Sequence, residues 1–187
     1  RDGVRNDPAS PTYGLIGWAY THKGTYYGDD NARYLLGALG ATAYLGTDKY
    51  DRKIIEGILG NFRTSGTNGF RGGSLLDVDI QRRGWQDYYH SPTVNLHPHF
   101  ESWLWACYLW LYAQSGEKEL LERVERGVSM MIAGYPDDWS WTNGIQQERA
   151  RMILPLAWLY RVSPTPEHKQ WLDYMAGELL KNQVECG

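Results

Sequence analysis

The feature that most constrains this chain is a short polar turn that occurs three times, each time between two long segments with apolar residues at helical spacing. The turns are residues 45–50, 114–119 and 162–167. In each turn, Gly or Pro ends the first segment, and Thr, Ser or Asp offers a cap to the second, whose start is acidic. One kind of turn used three times predicts three antiparallel helical hairpins.

The apolar spacing predicts six helices, and their relative direction follows from the turns. Odd-numbered helices are more apolar and even-numbered ones more amphipathic, so we expect an inner layer of odd helices and an outer layer of even ones. Because every short turn joins an inner helix to an outer one, the inner helices must all start on one side, beneath the two long connections. The sequence therefore predicts an all-α fold in one domain, residues 1–187, with an irregular segment at 1–28. The predicted helices are residues 31–45, 49–63, 98–114, 117–133, 143–161 and 166–182.

The long connection between predicted helices two and three holds several glycines and two alternating acids. Residues 70–80 predict a short strand pair, on which Asp77 and Asp79 would point to one face. Such a pair could bind a cation or act in acid–base chemistry, or it could be a solvated strand face. At the start of helix one, Asp29 or Asp30 is a candidate N-cap.

Aromatic composition is the second unusual feature: the chain has 9 Trp and 14 Tyr but only 3 Phe. Trp and Tyr combine a flat apolar face with a polar group, which suits contact with a sugar ring, although an aromatic core would use several of them. The net charge of -3, with no basic run, argues against nucleic acid or an anionic membrane as a partner. No apolar stretch reaches the roughly 18 residues of a membrane span, and no signal peptide is recognisable.

No motif for cofactor or metal chemistry is recognisable in the chain. The glycine-rich stretches lack the GxGxxG and Walker patterns, and there is no GxSxG nucleophile elbow. His97 and His99 are two residues apart, so they do not share a helical face and make a weak metal pair. Cys107 and Cys186 are expected to be free thiols and do not indicate a compartment. We therefore expect no cofactor and no metal site.

Three stretches, residues 26–33, 97–101 and 139–144, resemble the six-hairpin glycosidase superfamily, the α/α-toroid glycoside hydrolases. The resemblance covers the six predicted helices and implies a substrate cleft at the N-terminal ends of the inner helices, which is the side that the turns select. It also implies activity on an oligosaccharide or polysaccharide and a periplasmic or extracellular location. A complete toroid has six hairpins and this chain has three. We therefore expect either a half-ring, completed by further hairpins of a longer protein or by a second copy, or a shorter arc.

Glycoside hydrolysis needs two carboxyl groups flanking the scissile bond. We expect Glu101 and Asp30 to act as acid or base, with Glu148 in reserve, since Glu148 lies one turn into its helix as Glu101 does. Indole faces around Glu101 would raise its pKa. The expected substrate-binding residues are stacking tryptophans and polar positioning groups. They are Trp85, Trp103, Trp139 and Trp141, with Asp29, Arg33, His97 and His99.

Three other functions stay open at this point. A carbohydrate-binding domain would keep the aromatic contacts without the chemistry. A polysaccharide lyase would use a tyrosine base near an arginine, for which Tyr88 or Tyr89 is available. A helical-repeat scaffold would bind a protein partner, but the unequal spacing of the turns is not that of a regular solenoid.

Overall fold

The computed structural model describes residues 3–19 and 21–185, most of which are helical. Cys107 is a buried free thiol, and Cys186 lies outside the described residues. Among these residues, no helix combines the length and the apolar character that crossing a membrane requires. In chain order the elements are β1 (Thr25–Tyr27), α1 (Gly28–Leu45), α2 (Asp51–Arg63), β2 (Ser74–Leu76), α3 (Asp77–Arg83), α4 (Trp85–Tyr89), α5 (Pro98–Ser115), α6 (Lys118–Ala133), α7 (Ile145–Val162) and α8 (Pro166–Leu180).

The helices on either side of the three polar turns form as predicted. α1 packs against α2, α5 against α6 and α7 against α8, while α5 also packs against both α1 and α7. Gly46 and Gly116 end α1 and α5 with φ of 59° and 71°, a backbone conformation that favours glycine. The third turn leads into Pro166, and Thr165 caps α8 by accepting a hydrogen bond from the His168 N–H. The all-α prediction is confirmed in that the described residues are mostly helical.

The start of α1 differs from the prediction in its cap. Tyr27 occupies the cap position without a side-chain hydrogen bond, and α1 begins at Gly28. Asp29 and Asp30 therefore lie inside the first turn, because β1 runs directly into the helix. From there the Asp29 carboxylate contacts His99 on α5 instead of the N–H groups of its own helix.

The short sheet uses different residues from those predicted. β1 and β2 are antiparallel, with Tyr26 opposite Leu75, and α3 follows β2 directly. Asp77 and Asp79 therefore lie in the first turn of α3 and not on one face of a strand. Asp77 accepts a hydrogen bond from Tyr26 Oη at 2.5 Å, and Asp79 pairs with Arg82 near the surface.

Part of the aromatic composition serves the core. α5 is buried on most sides because α1, α6 and α7 pack around it. Trp105 on α5 meets Phe70 edge-on with ring centres 5.5 Å apart, and Tyr108 meets Phe62 in the same way at 5.2 Å. Such edge-to-face pairs add to the stabilisation from burial, so these rings fill the space between helices and are not available to a ligand.

Candidate active site

The first turns of α1, α5 and α7 meet at one end of the helices. A Cβ on Gly28 would lie 2.2 Å from the Phe100 carbonyl oxygen, so α1 and α5 approach as closely as only a glycine allows. His99 Nε2 lies 3.0 Å from Asp29 Oδ2, which links the same two helices. Arg151 Nη1 donates to the His99 carbonyl at 3.1 Å and attaches α7. The gathering of the inner helix starts, predicted from the turns, is therefore observed.

A cavity of about 340 Å³, which we call the site cavity, opens where these helix starts meet. Its volume is at the lower end of the range for sites that hold small molecules. A larger cavity of about 600 Å³ lies between α1 and α2, but its lining among the described residues contains no carboxylate. We place the candidate site at the cavity of about 340 Å³ because carboxylates line it at the end where the inner helices start. The site cavity is lined by Trp18, Tyr27, Asp29, Asp30, Arg33, His99, Phe100, Thr142 and Asn143.

Two neighbouring carboxyl groups, Asp29 and Asp30, line the site cavity and share one guanidinium group. Arg33 Nη2 lies 2.9 Å from Asp29 Oδ2, and Arg33 Nη1 lies 3.5 Å from Asp30 Oδ1. Burial, followed by the charge of Asp29, raises the pKa of Asp30. The cavity thus holds Asp30, whose raised pKa favours its protonated form, next to Asp29, whose carboxylate pairs with Arg33. This is the pattern of an acid–base pair.

Behind Asp29, a buried row of side chains joins α1, α5 and α7. Asp29 Oδ2 also faces Arg151 Nη2 at 3.9 Å, and His99 Nδ1 lies 3.8 Å from Glu148 Oε1. Glu148 accepts a hydrogen bond from the Thr142 N–H at 3.1 Å. Burial raises the pKa of Glu148, and burial together with the Arg151 cation lowers the pKa of His99. This environment favours a neutral imidazole at neutral pH.

Glu101, the acid expected from the sequence, is fully buried and does not line the site cavity. Its Oε2 accepts the Arg71 N–H at 2.9 Å, and its Oε1 accepts the Gly72 N–H at 2.8 Å and the Asn95 amide at 2.7 Å. Burial, rather than a set of indole faces, raises its pKa to about 7. These hydrogen bonds all come from the connection between α2 and α5, so Glu101 organises that connection.

The tryptophans expected to stack on a sugar have different environments. Trp139 is buried and its Nε1–H donates to a backbone carbonyl at 2.7 Å, so it belongs to the core. Trp85 packs edge-on against Tyr89 and does not line the site cavity. Trp103 is partly buried beneath Arg151, whose guanidinium carbon lies 4.4 Å from its ring centre. These three indoles are therefore not open platforms in the site cavity.

The loop before α7 forms one side of the site cavity. Thr142 and Asn143 line the cavity, and His97 Nε2 lies 3.1 Å from Thr142 Oγ1. Burial lowers the pKa of His97, so this imidazole contacts the loop as a neutral group at neutral pH. Trp141 is 54% exposed immediately beside these residues. Of the four tryptophans expected to stack, Trp141 is the one that remains open at the site.

An aromatic wall that the sequence analysis missed also lines the site cavity. It consists of Trp18, Tyr27 and Phe100. Tyr27 stacks on Phe100 with ring centres 6.0 Å apart, Trp18 meets Tyr27 edge-on at 5.6 Å, and Trp18 is 48% exposed. Trp18 lies in the segment predicted only as irregular. The available signal was a tryptophan between glycines and turn residues, where no helix could bury it.

Within residues 3–19 and 21–185, no group of three or more histidine, cysteine, aspartate or glutamate side chains is arranged to hold a metal ion. No protein-family model, curated protein or solved structure matches this chain. Function is therefore inferred from the residues of the site cavity.

Proposed function

We propose that this chain hydrolyses glycosidic bonds in the site cavity. The observation that supports this most directly is that Asp29 and Asp30 share the cavity with the aromatic wall. Carboxyl groups supply the acid and the base that glycoside cleavage needs, and aromatic rings bind the apolar face of a sugar. The proposed substrate class is an oligosaccharide or polysaccharide.

Asp30 is the proposed general acid. Its raised pKa lets it keep a proton that it donates to the leaving glycosidic oxygen. Asp29 is the proposed ionised partner, held by the guanidinium and the imidazole beside it. There it takes a proton from the attacking water or stabilises the positive charge that develops on the sugar ring. Asp29 thus takes the place that the sequence analysis gave to Glu101, while Glu148 lies behind Asp29.

Trp18 and Trp141 are the proposed stacking platforms. Both indoles are about half exposed, at 48% and 54%, and one lines the cavity while the other is adjacent to its lining residue Thr142. Large exposed aromatic side chains at the edge of a cleft are typical of ligand contact. His97 and Arg33 are proposed to position the loop and the carboxylates around the bound sugar.

We also propose that the hairpins form an arc of an α/α-toroid. Support comes from the packing of α5 against both α1 and α7, with α2, α6 and α8 as their hairpin partners. In this proposal, further hairpins of a longer protein or a second copy of the chain complete the ring.

The test of the proposed activity is hydrolysis of a panel of aryl glycosides and labelled oligosaccharides by the purified chain. Asp30→Asn and Asp29→Asn should each lower kcat/KM by about 10²–10⁴-fold, while circular dichroism shows that both variants fold. Asp87→Asn is the matched control, because it removes an exposed carboxylate that pairs only with Arg83 in the described residues, and it should keep full activity. Wild-type turnover in both site variants would overturn the assignment.

A second candidate function is carbohydrate binding without hydrolysis. Arg33 favours it, because one guanidinium contacts both Asp29 and Asp30 and partly neutralises them. Isothermal titration calorimetry with the same oligosaccharides separates the two functions. Heat of binding with no released product from any substrate in the panel would identify a binding domain.

The lyase alternative needs a tyrosine that can act as a base. Tyr89 has an arginine neighbour, with the Arg123 guanidinium carbon 3.8 Å from its ring centre. However, its hydroxyl donates to Glu119 at 2.5 Å, and burial raises its pKa to about 12. Neither Tyr88 nor Tyr89 lines the site cavity. We therefore do not expect the absorbance of an unsaturated product in the hydrolysis assay.

A further inference from the structure

Asp29, His99 and Glu148 form a buried row that crosses three helices behind the site cavity. Asp29 Oδ2 lies 3.0 Å from His99 Nε2, and His99 Nδ1 lies 3.8 Å from Glu148 Oε1. The exposed fractions of the three residues are 5%, 7% and 0%. Among the described residues, His99 Nδ1 and Glu148 Oε2 are buried without a hydrogen-bond partner. Buried polar atoms normally have hydrogen-bond partners, so the protonation of these two atoms needs an explanation.

The proton of His99 belongs on Nε2. Asp29 Oδ2 lies 2.9 Å from Arg33 and 3.9 Å from Arg151, and beside two guanidinium groups it acts as an acceptor. An imidazole nitrogen 3.0 Å from that oxygen is therefore a donor. Because burial and Arg151 lower the pKa of His99, the ring carries only this one proton at neutral pH. His99 Nδ1 is then an acceptor.

Glu148, whose Oε1 lies 3.8 Å from Nδ1, can supply a donor to this acceptor. An ionised Glu148 would set a carboxylate oxygen opposite the Nδ1 lone pair in a buried place, which is unfavourable. A protonated Glu148 can donate from its hydroxyl oxygen to Nδ1 after a small movement of the carboxyl group, while its carbonyl oxygen accepts the Thr142 N–H. Burial raises the pKa of Glu148, while Thr142, Arg151 and the His99 backbone N–H act in the opposite direction.

The charged and titratable groups around this row come from all three helices, and their charges together influence the protonation of His99 and Glu148. They are Asp29, Asp30 and Arg33 on α1, His97 before α5 and His99 on it, and Glu148 and Arg151 on α7.

We propose that Glu148 is a positioning residue that, as a neutral carboxylic acid, donates a hydrogen bond to His99 Nδ1 and so holds the tautomer whose Nε2–H fixes Asp29. The partners of Asp29 then converge on Oδ2. The distances to Arg33, His99 and Arg151 are all measured to this oxygen. In this proposal the other oxygen, Oδ1, is the one that faces the attacking water. The role of Oδ1 rests on the proposed glycosidase function, whereas the tautomer of His99 does not.

Long-range ¹H–¹⁵N NMR of the imidazole rings in the whole chain measures the tautomer. The His99 signals are assigned by their loss in His99→Gln. At about pH 7, the expected result is one protonated nitrogen, Nε2, and one unprotonated nitrogen, Nδ1, that accepts a hydrogen bond. Two protonated nitrogens would place the proton on His99 instead of Glu148 and would overturn the proposal. A proton on Nδ1 alone would overturn it as well.

Two substitutions of Glu148 separate positioning from packing. Glu148→Gln keeps a neutral side chain that can donate to Nδ1, so the His99 tautomer should persist. In wild type, ionisation of Glu148 at raised pH should shift the His99 signals. Glu148→Gln should not show this shift. Glu148→Leu fills a similar volume without a donor, so Nδ1 should lose its hydrogen-bonded shift. The exposed Glu122 on α6 provides the control Glu122→Leu, which should leave His99 unchanged.

Identical His99 signals in wild type and Glu148→Leu would overturn the proposal. If the leucine variant does not fold, the comparison of wild type with Glu148→Gln still decides, because a high-pH shift that persists in Glu148→Gln cannot come from Glu148.

Kinetics distinguish failure of this proposal from failure of the proposed function. On a glycoside that the wild type hydrolyses, Glu148→Gln should keep kcat within about threefold, and Glu148→Leu should lower kcat by about tenfold or more with little change in KM. An unchanged kcat in Glu148→Leu would mean that Asp29 does not depend on Glu148, even though the chain hydrolyses glycosides. No hydrolysis by the wild type would remove the glycosidase proposal and leave the tautomer result in place.

Discussion

At the scale of single residues, three acids in the first turns of α1 and α5 differ in what their oxygens contact. Glu101 accepts three hydrogen bonds from one loop. Asp29 is held by a guanidinium group and an imidazole, while Asp30 has a more distant cation and a raised pKa. The role of each carboxyl group therefore depends on the donors around it. Glu101 organises a loop, Asp29 is a carboxylate held by its neighbours, and Asp30 is the candidate acid.

Glu101→Gln should lower the free energy of unfolding by about 1–3 kcal/mol, because both carboxyl oxygens accept N–H groups and the amide nitrogen that replaces one of them cannot accept a hydrogen bond. This penalty should depend on pH. Burial raises the Glu101 pKa from 4.5 to about 7. The stabilisation linked to this raised pKa is complete below the unfolded-state pKa and is lost as the pH rises through about 7.

Urea unfolding at about pH 5 and about pH 8 measures this effect, and the difference between wild type and Glu101→Gln should shrink at the higher pH. Glu122→Gln on the exposed face of α6 is the control and should show no such change. An equal penalty at both pH values would contradict a raised pKa for Glu101.

Trp18→Ala should weaken oligosaccharide binding by about tenfold, or about 1.4 kcal/mol, because it removes the exposed face of the aromatic wall. The melting temperature should change little, since this side chain is 48% exposed. Calorimetric titration with the best substrate measures the affinity. Tyr44→Ala, which removes a 90% exposed aromatic residue from α1, is the matched control. Equal affinity of Trp18→Ala and wild type would exclude the wall from the binding site.

At the scale of elements, glycine determines how closely the helices that form the site approach each other. Gly28 lies at the contact of α1 with α5, where a Cβ would come within 2.2 Å of a backbone oxygen. Gly37 lies in the same helix with nothing within 4 Å of a Cβ. The two positions are a matched pair, because one glycine is required by packing and the other only weakens the helix.

Gly28→Ala should lower the free energy of unfolding by about 1–3 kcal/mol, since the backbone of Phe100 must move to accept the methyl group. Gly37→Ala should raise it by about 0.5–1 kcal/mol. Thermal unfolding measures both, and glycoside hydrolysis should fall only in Gly28→Ala, where the distance between Asp29 and His99 changes. A similar response of the two variants would mean that the contact of α1 with α5 does not govern the site.

At the scale of the whole molecule, residues 64–97 cross from α2 to α5 and are attached to the helices by a few buried donors. Arg123 on α6 is buried, and its Nη1 donates to three backbone carbonyls of this connection at 2.9, 3.1 and 3.1 Å. Trp105 Nε1 on α5 donates to the Gly69 carbonyl at 2.8 Å. These contacts join distant parts of the chain. They give the backbone carbonyls of the connection hydrogen-bond donors that its own residues do not provide.

Arg123→Met should lower the free energy of unfolding by about 2–4 kcal/mol, because three backbone carbonyls, two of them in buried hydrogen bonds, lose this donor. Hydrogen exchange should become faster across residues 64–97 while α7 and α8 keep their protection. Arg52→Met, which removes a side chain that is 86% exposed, is the control. Uniformly faster exchange throughout the chain would indicate a general loss of stability and contradict a specific attachment of this connection.

The helices and the side on which they start follow from local signals in the sequence. Helix ends at glycine and apolar residues at helical spacing can both be recognised from neighbouring residues. Each short turn reverses the chain, so the direction of each helix follows from the turns that precede it. The sequence alone was therefore sufficient for the hairpins and for the end of the helices at which the site cavity opens. It also selected four residues that line the site cavity, namely Asp29, Asp30, Arg33 and His99.

Which acids and indoles face the cavity depends on contacts between residues far apart in the chain. Glu101 and Asp29 both occupy the first turn of an apolar helix, so the local pattern cannot tell them apart. Folding covers Glu101 with the backbone around Arg71 and leaves Asp29 at the cavity. In the same way, Trp139 is buried and Trp18 stays half exposed although both lie in loops. Burial and hydrogen-bond partners of these side chains are set by tertiary packing, which periodicity along the sequence does not encode.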